Sequence, residues 1–297
     1  MKSMREFNNE INRFRNLPSW NEIVAMVQEV PPLPSTISEA LELVQNGPDV
    51  NLRRLTAVLE KDAGLTSKIL KVANSALFSK SGQVSNLITA TNIIGLKTLK
   101  GILISTSLKD IFTPNTDFLK HSWKKSAICC KLLRELCASS TLYDPEDLST
   151  LGVVHCIGEI ILGSHEKFRP VTIKAVEIAK DENEIPTFTL EDMIGFKPSL
   201  VSALLMKKWN FPEHLCLHAL HRDSPIDLLD WNSSKLLSHA LFQTVSLLSE
   251  ILIFSVSKES LSYRFTVASS KKFPLPKSLD LIEEEIRELI NCQEFEI

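Results

Sequence analysis

Residues 70–78 read LKVANSALF, and they continue an apolar helical pattern that begins near Leu65. Asn74 and Ser75 interrupt the apolar face of this pattern. Short polar side chains in such positions cap a helix, bend it, or hydrogen-bond to a neighbouring helix. We therefore expect a structural role for Asn74 and Ser75, with recognition of a ligand or partner as the alternative.

Short helices with start and stop signals lie on both sides of this segment. Residues 31–34 read PPLP, which is extended because proline fixes its own backbone and biases the preceding residue away from helix. Thr36 with Glu39 forms a capping box, Asn51 predicts the cap of the next helix, and Gly95 predicts a helix end. Five short helices are predicted in this part of the chain, and no stretch alternates as a strand does.

Longer helices are predicted in the rest of the chain. Apolar periodicity and helix-start residues place them at residues 118–137, 145–160, 171–180, 198–209, 212–222, 234–255 and 276–291. Thr189 and Asp192 form a second capping box. Residues 260–272 are polar and ambiguous.

The predicted fold is all-α, a multi-helix bundle in two packed lobes. Residues 20–112 form the N-terminal helical lobe, and residues 118–297 form the second lobe together with the C-terminal helices. Residues 1–18 form an amphipathic N-terminal extension, whose apolar face carries Met4, Phe7, Ile11 and Phe14. We expect this face to pack on the chain itself, with a partner-binding or dimer surface as the alternative.

The composition excludes several classes of protein. The 297 residues are 44% hydrophobic and 23% charged, which is typical of a globular protein. A net charge of −3 argues against a domain-wide grip on nucleic acid. Six cysteines without a CxxC pair indicate reduced thiols in a cytoplasmic protein. The N-terminus does not have the apolar core of a signal peptide, and we interpret the apolar residues 239–256 as a buried helix rather than a membrane span.

Several motifs occur in an order and spacing that resembles a known family. They are VPPLP at residues 30–34, LKVANSALF at 70–78, ATNIIGLKTL at 90–99, GVVHCIG at 152–158 and WNFPE at 209–213. Together they resemble the HDOD domain, the HD-related output domain of bacterial signalling proteins. The resemblance covers about residues 28–225 and implies an all-helical, HD-domain-like fold related to the HD-domain metal-dependent phosphohydrolases.

The resemblance also implies where metal ligands would lie. HD phosphohydrolases hold one or two metal ions with residues in the order H…HD…D, and the metal activates water and clamps phosphate oxygens. His121 and His155 match the two histidines, but Cys156 stands at the signature aspartate, where a soft thiol replaces a hard oxygen. Asp223 could stand in for the last aspartate. We expect these four residues to be vestigial positions of the HD motif, with no catalytic residue, metal ligand or cofactor.

Other candidate sites are assigned structural roles. His155 and His121 are interpreted as buried histidines with structural hydrogen bonds. A nucleophilic pair of His155 and Cys156 is excluded, because neighbouring side chains on a helix diverge by about 100°. Three further histidines share one helical face, which we interpret as a half-exposed polar surface rather than a metal site: His214, His218 and His221.

Two other sets of residues are also expected to have ordinary roles. Cysteines of the long predicted helix are expected to behave as small buried hydrophobes: Cys129, Cys130 and Cys137. A stripe of lysines is interpreted as a solvated helix face: Lys97, Lys100 and Lys109.

The function predicted from these observations is that of a non-catalytic bacterial signalling module. Such a module acts by binding a protein partner, since helical bundles recognise partners through apolar grooves and amphipathic helices. We expect a cytoplasmic protein without nucleic-acid or membrane contact, and a homodimer stays open. The first alternative is an HD-superfamily metal-dependent phosphohydrolase with a modified metal site, and the second is a nucleotide-sensing module.

Overall fold

The computed structural model of the protein describes residues 2–44, 50–74, 84–111, 116–138 and 145–291. Every regular element in these ranges is helical, and no strand occurs in them. The predicted all-α fold class is therefore confirmed.

The chain divides into two compact units. The inserted unit is Pro31–Ile111, and the main unit joins Met1–Val30 to Phe112–Ile297. The helices of the inserted unit are α3 (Ser35–Val44), α4 (Leu52–Leu59), α5 (Ala63–Ala73) and α6 (Leu87–Ile111). The helices of the main unit are α1 (Lys2–Asn12), α2 (Trp20–Glu29), α7 (Asp117–Ala138), α8 (Pro145–Val154), α9 (Ile157–Ser164), α10 (Arg169–Glu182), α11 (Pro186–Ile194), α12 (Pro198–Lys208), α13 (Glu213–Leu220), α14 (Ser233–Ile253), α15 (Leu261–Ser270) and α16 (Leu279–Asn291).

The boundary between the units differs from the predicted one, because residues 20–30 belong to the main unit rather than to the N-terminal lobe. The ammonium group of Lys208 donates to the main-chain oxygens of Val27, Gln28 and Val30, at 3.0, 2.8 and 2.5 Å. A cation is favourable there because these carbonyls lie at the C-terminal end of α2. This contact joins residues about 180 positions apart, so no local pattern predicts it.

The N-terminal helix α1 packs on the rest of the main unit, in agreement with the prediction that its apolar face packs on the chain itself. Phe7 and Ile11 are buried, and α1 contacts α13. The main-chain N–H of Phe7 donates to the Glu213 carboxylate at 2.7 Å. This bond links the extension to the start of α13.

Helix starts agree with some of the predicted caps and not with others. Asn51 caps α4, since its side-chain oxygen accepts from a main-chain N–H three residues later at 3.0 Å. Thr36 and Thr189 lie inside α3 and α11, so both predicted capping boxes are wrong; α11 begins at Pro186, whose ring presets a helical backbone. Gly95, with φ +76° and ψ 158°, interrupts the helical backbone inside α6, so two helices meet in a kink at the residue where a helix end was predicted.

Asn74 ties the end of α5 to the residues before α6. Its amide nitrogen donates to the carbonyls of Leu70 and Val84, both at 2.8 Å, and its oxygen accepts from the Val84 N–H at 2.8 Å. These bonds satisfy main-chain groups of two elements at once. Ser75, the other residue of the pair, lies outside the described residues.

The core of the main unit depends on close approach between helices. A Cβ atom at Gly158 would lie 2.1 Å from the Pro198 oxygen and 2.6 Å from the Ser202 nitrogen, so α9 and α12 pack at backbone distance. The Gly158 N–H donates to the Ser202 hydroxyl at 2.8 Å, which in turn donates to the His155 carbonyl at 2.7 Å. This packing fixes the chain on both sides of His155.

Two stretches of the described chain are long and apolar enough to cross a membrane by length and composition. They are Asp147–Ser164, which is 89% buried inside the fold, and Ser233–Ile253, which is 78% buried. The second includes most of residues 239–256, the stretch interpreted from its sequence as a buried helix.

Candidate functional site

His155 and Cys156 lie in the short break between α8 and α9. The Nδ1 atom of His155 lies 2.9 Å from the Gly152 carbonyl, and its Nε2 atom lies 3.0 Å from the Cys156 sulfur. The predicted divergence of the two side chains is therefore wrong. It assumed a continuous helix, whereas these residues connect two helices.

The pair of His155 and Cys156 is neutral and closed to solvent. Burial lowers the pKa of His155 to about 3, and burial raises the pKa of the Cys156 thiol well above its usual value. A neutral imidazole that donates from Nδ1 to a carbonyl accepts at Nε2, so the thiol donates to it. This arrangement holds a histidine in the core by a bond to a backbone carbonyl, as predicted.

His121 lies on α7 beside a narrow cleft. Its ring meets the ring of Phe254 edge-on, with centroids 4.5 Å apart, and its Nδ1 atom is buried without a hydrogen-bond partner in the described structure. The structural hydrogen bond predicted for His121 is therefore not found at this atom. Burial lowers the pKa of His121. The cleft is lined by residues of α7, α9 and α14, among them Ser122, Lys125 and Glu159.

A group of buried charges lies at the base of this cleft. The ammonium of Lys125 lies 2.9 Å from the Glu159 carboxylate and 2.5 Å from the Glu250 carboxylate, and all three side chains are at most 3% exposed. Glu159 also accepts from Ser122 at 3.0 Å, and Glu250 accepts from the main chain and hydroxyl of Thr187. Each carboxylate is thus paired with a cation and further hydrogen bonds.

Arg222 extends the same group. Its guanidinium donates to Glu159 at 2.5 Å and to both oxygens of Asp223, at 2.7 and 3.0 Å. Asp223, expected to stand in for a last metal ligand, therefore has both oxygens bound by its own neighbour. We refer to Lys125, Glu159, Arg222, Asp223 and Glu250 as the charge network.

The charges of the network shift one another's pKa values. Burial alone would raise the pKa of Glu159, but the charges of Lys125 and Arg222 outweigh burial and lower it to about 2. Asp223 responds in the same way, because Arg222 overcomes the effect of burial and lowers its pKa. Glu159 and Asp223 are consequently ionised at neutral pH.

Sequence reasoning missed most of the charge network, although one signal was available. Lys125 follows His121 by four residues, and Glu159 follows His155 by four residues. Residues at this spacing lie on one side of a helix, so the pattern could have placed a lysine and a glutamate beside the two histidines. No sequence pattern indicated Glu250, which the fold brings to Lys125 from 125 residues away.

The three histidines of α13 do not form the half-exposed surface that was predicted. His218 and His221 are buried, at 5% and 8% exposed, while His214 is exposed and lies 2.5 Å from Asp147. His218 stacks on the buried His239, with their Nδ1 atoms 3.1 Å apart. The prediction is wrong because Trp231 packs against both His218 and His221, and His239 of α14 stacks on His218.

The remaining candidate residues divide between described and undescribed positions. Cys129 and Cys137 are buried, as predicted, Cys130 is partly buried, and none of the three forms a disulfide. The side chains of Lys97 and Lys109 lie outside the described part of the structure, so the predicted lysine stripe stays a prediction. Within the described residues, no group of three or more His, Cys, Asp and Glu side chains is arranged to hold a metal ion.

Comparison with known families identifies the fold. A family model of the HDOD domain matches residues 30–225, about two thirds of the chain. The chain belongs to the HDOD domain family. The matched range nearly coincides with the range over which the sequence motifs resemble this family.

The individual proteins that resemble this chain are distant in sequence. An uncharacterized protein of Treponema pallidum (strain Nichols) is 26% identical over 195 residues; the match covers 64% of this chain but only 37% of that protein's length. An HDOD domain protein of unknown function from Geobacter sulfurreducens has a similar structure, with a TM-score of 0.68, 17% identity, and coverage of 91% of this chain and 94% of the other.

Two further solved structures share the fold. A proposed signal transduction protein from Marinobacter aquaeolei VT8 gives a TM-score of 0.64 at 17% identity, covering 90% of this chain and 58% of the other. A proposed phosphohydrolase from Shewanella amazonensis SB2B gives a TM-score of 0.61 at 18% identity, covering 90% of this chain and 93% of the other. At these identities the similarity defines the fold.

Proposed function

We propose that this HDOD protein is a non-catalytic regulatory module that transmits a signal by binding a protein partner. The observation that carries the proposal is the charge network beside His121 and His155. Lys125 and Arg222 supply positive charge next to the positions that match the metal ligands of HD phosphohydrolases. The positive charges of Lys125 and Arg222 would balance the neighbouring carboxylates, as a metal ion does in the related enzymes.

The side chains at these positions do not fit a divalent metal centre. Both ring nitrogens of His155 are engaged, one with the Gly152 carbonyl and the other with Cys156. Both oxygens of Asp223 accept from Arg222. A metal ion would have to displace these partners and would meet two buried cations at close range, which is electrostatically unfavourable.

The regulatory part of the proposal is supported by the family. HDOD is the HD-related output domain of signalling proteins, and the structurally similar Marinobacter aquaeolei VT8 protein is itself a proposed signal transduction protein. Because this chain spans only 37% of the length of its Treponema pallidum relative, the activities and partners of longer relatives are not transferred to it.

The competing function is a metal-dependent phosphohydrolase, and one observation favours it. The Nδ1 atom of His121 is buried and unpartnered within the described residues, as an empty metal ligand would be. The structural similarity to the proposed phosphohydrolase from Shewanella amazonensis SB2B fits this alternative. The two functions differ in whether the protein binds metal.

Metal content and turnover test the proposal directly. Protein purified without chelator is analysed for iron, manganese and zinc, and the same sample is screened for phosphodiesterase and phosphatase activity. We expect substoichiometric metal and no turnover above a buffer control. Stoichiometric metal that is lost in His121→Ala, together with turnover lost in the same variant, would establish the hydrolase instead.

A genetic complementation experiment tests the signalling role in the organism that encodes the protein. We expect the His121→Ala gene to restore the wild-type phenotype to a deletion strain as well as the unmodified gene does, since no catalysis is required. A variant that is produced at normal levels but fails to complement would contradict a purely non-catalytic role.

A further inference from the structure

A cavity of about 260 Å³ opens on the main unit, away from the charge network. Three helices contribute their first turns to its lining: Asp147 and Leu148 from α8, His214 and Leu215 from α13, and Ser234 and Lys235 from α14 with its capping residue Asn232. His218 and Ser238, each one turn further along a helix, complete the lining. We call this the helix-start cavity.

Three helix starts and one lysine bring positive charge to the cavity. The N–H of Lys235 is already capped by the Asn232 side chain at 2.9 Å and that of Leu215 donates to the Pro212 carbonyl at 3.0 Å, but the helix dipole leaves partial positive charge at each start. Lys235 adds a full positive charge and lies 3.9 Å from the centre of the Trp231 ring. The only carboxylate among the lining residues, Asp147, lies 2.5 Å from His214 Nε2.

A buried histidine supplies the independent evidence for a ligand. His218 is only 5% exposed, yet it lines the cavity, and its single hydrogen bond in the described structure joins its Nδ1 atom to His239 Nδ1. The Nε2 atom of His218 therefore has no partner among the described residues. An unpaired polar atom on a buried ring at a cavity wall is a ready contact for a bound molecule.

The proton positions of the two histidines show what kind of contact it is. His239 also hydrogen-bonds to the main chain of His221, and its Nε2 atom is buried without a partner, so its proton is on Nδ1. His218 must then accept at Nδ1. A neutral His218 consequently holds its proton on Nε2, which makes this atom a donor toward the cavity.

From this geometry we propose that the helix-start cavity binds a small molecule through a phosphate monoester group. A phosphate dianion offers several acceptor oxygens, which suit the partial positive charge of three helix starts, the ammonium of Lys235 and the N–H of His218. A metal ion is disfavoured because it needs a lone pair where His218 presents an N–H. The cavity is slightly smaller than the usual range for drug-sized ligands, which restricts the ligand to a compact one.

Thermal unfolding of the full chain tests the proposal, because a ligand that binds only the folded form raises the melting temperature. The probes are inorganic phosphate and O-phosphoserine, each compared with sodium chloride at equal ionic strength. We expect a saturable rise with phosphate that chloride does not reproduce. Lys235→Met should weaken binding at least tenfold, whereas the exposed control Lys174→Met should bind normally.

A second variant keeps the test decisive if Lys235→Met proves unstable. Ser238→Phe fills the cavity without removing a charge, and it should abolish the rise while far-UV circular dichroism stays unchanged. A rise with inorganic phosphate alone would identify the free ion as the ligand, and a larger rise with O-phosphoserine would identify an ester. No rise beyond that with chloride, or an equal rise in every variant, overturns the proposal.

Discussion

The charge network and the helix-start cavity are both polar sites of the main unit, but they satisfy their charges in opposite ways. In the charge network, each carboxylate meets a cation and further donors inside the fold. In the helix-start cavity, three helix starts, Lys235 and His218 line open space. The first site is complete without any other molecule, whereas at the second the Nε2 atom of His218 has no partner among the described residues.

This difference suggests which site is structural and which is available for binding. A buried ion pair is costly to break, because removing one partner leaves an uncompensated charge in a low-dielectric environment. Hydrogen-bond donors at an open cavity are hydrated, so removing one of them costs little folding stability. The same substitution, lysine to methionine, should therefore have very different consequences in the two sites.

Lys125→Met should cause the largest effect. It leaves Glu159 and Glu250 buried with only part of their compensating charge, and it should lower the free energy of unfolding by about 3–5 kcal/mol. Urea denaturation followed by circular dichroism measures the loss. A loss below about 1 kcal/mol would show that the charge network contributes little to the fold.

Acidification should remove the stability that ionised Glu159 contributes, and comparison with Glu159→Gln measures this loss. The folded-state pKa of Glu159, about 2, lies below its usual 4.5, so its ionised form stabilises the protein above pH about 5. That stability, on the order of 3 kcal/mol, is lost as the pH falls toward 2.

The free energies of unfolding of the unmodified protein and of Glu159→Gln should therefore become similar in acid. Buried histidines destabilise both proteins at low pH, so the difference between the two urea midpoints isolates Glu159. We expect a lower midpoint for Glu159→Gln at neutral pH and a difference that shrinks below pH about 4. A constant difference would contradict the ionised state assigned to Glu159.

Gly158→Ala tests the packing that positions Glu159. The added methyl group would meet the backbone of α12, and we expect a loss of about 1–3 kcal/mol. Gly101→Ala is the matched control, since nothing lies within 4 Å of its added Cβ and alanine is favoured in a helix interior by about 0.5–1 kcal/mol. Equal stability of the two variants would show that α9 and α12 have room to separate.

Lys235→Met should have the smallest effect on stability. It removes a contact with the Trp231 ring, which is typically worth about 0.5–1 kcal/mol. Thermal unfolding without phosphate measures this cost. A loss as large as that of Lys125→Met would mean that the helix-start cavity is part of the structural core.

The helices themselves were largely predictable, because apolar spacing and cap residues act over a few positions. Asn51 was recognised as a cap from its own neighbourhood, and His155 was correctly predicted to bond to a backbone carbonyl. The errors arose where a local rule met a tertiary contact. The capping box at Thr189 failed because Pro186 starts the helix earlier, and His218 and His221 proved buried because Trp231 packs against both.

The sequence by itself determined the helical class, the family, and the presence of a cysteine instead of the motif aspartate at position 156. These properties depend on residue identity and on spacing along a few helical turns. Only the tertiary structure decided that Glu250 reaches Lys125, that Cys156 meets His155, and that three helix starts surround one cavity. Such contacts join segments far apart in the chain, and the packing of whole helices, rather than any local preference, determines them.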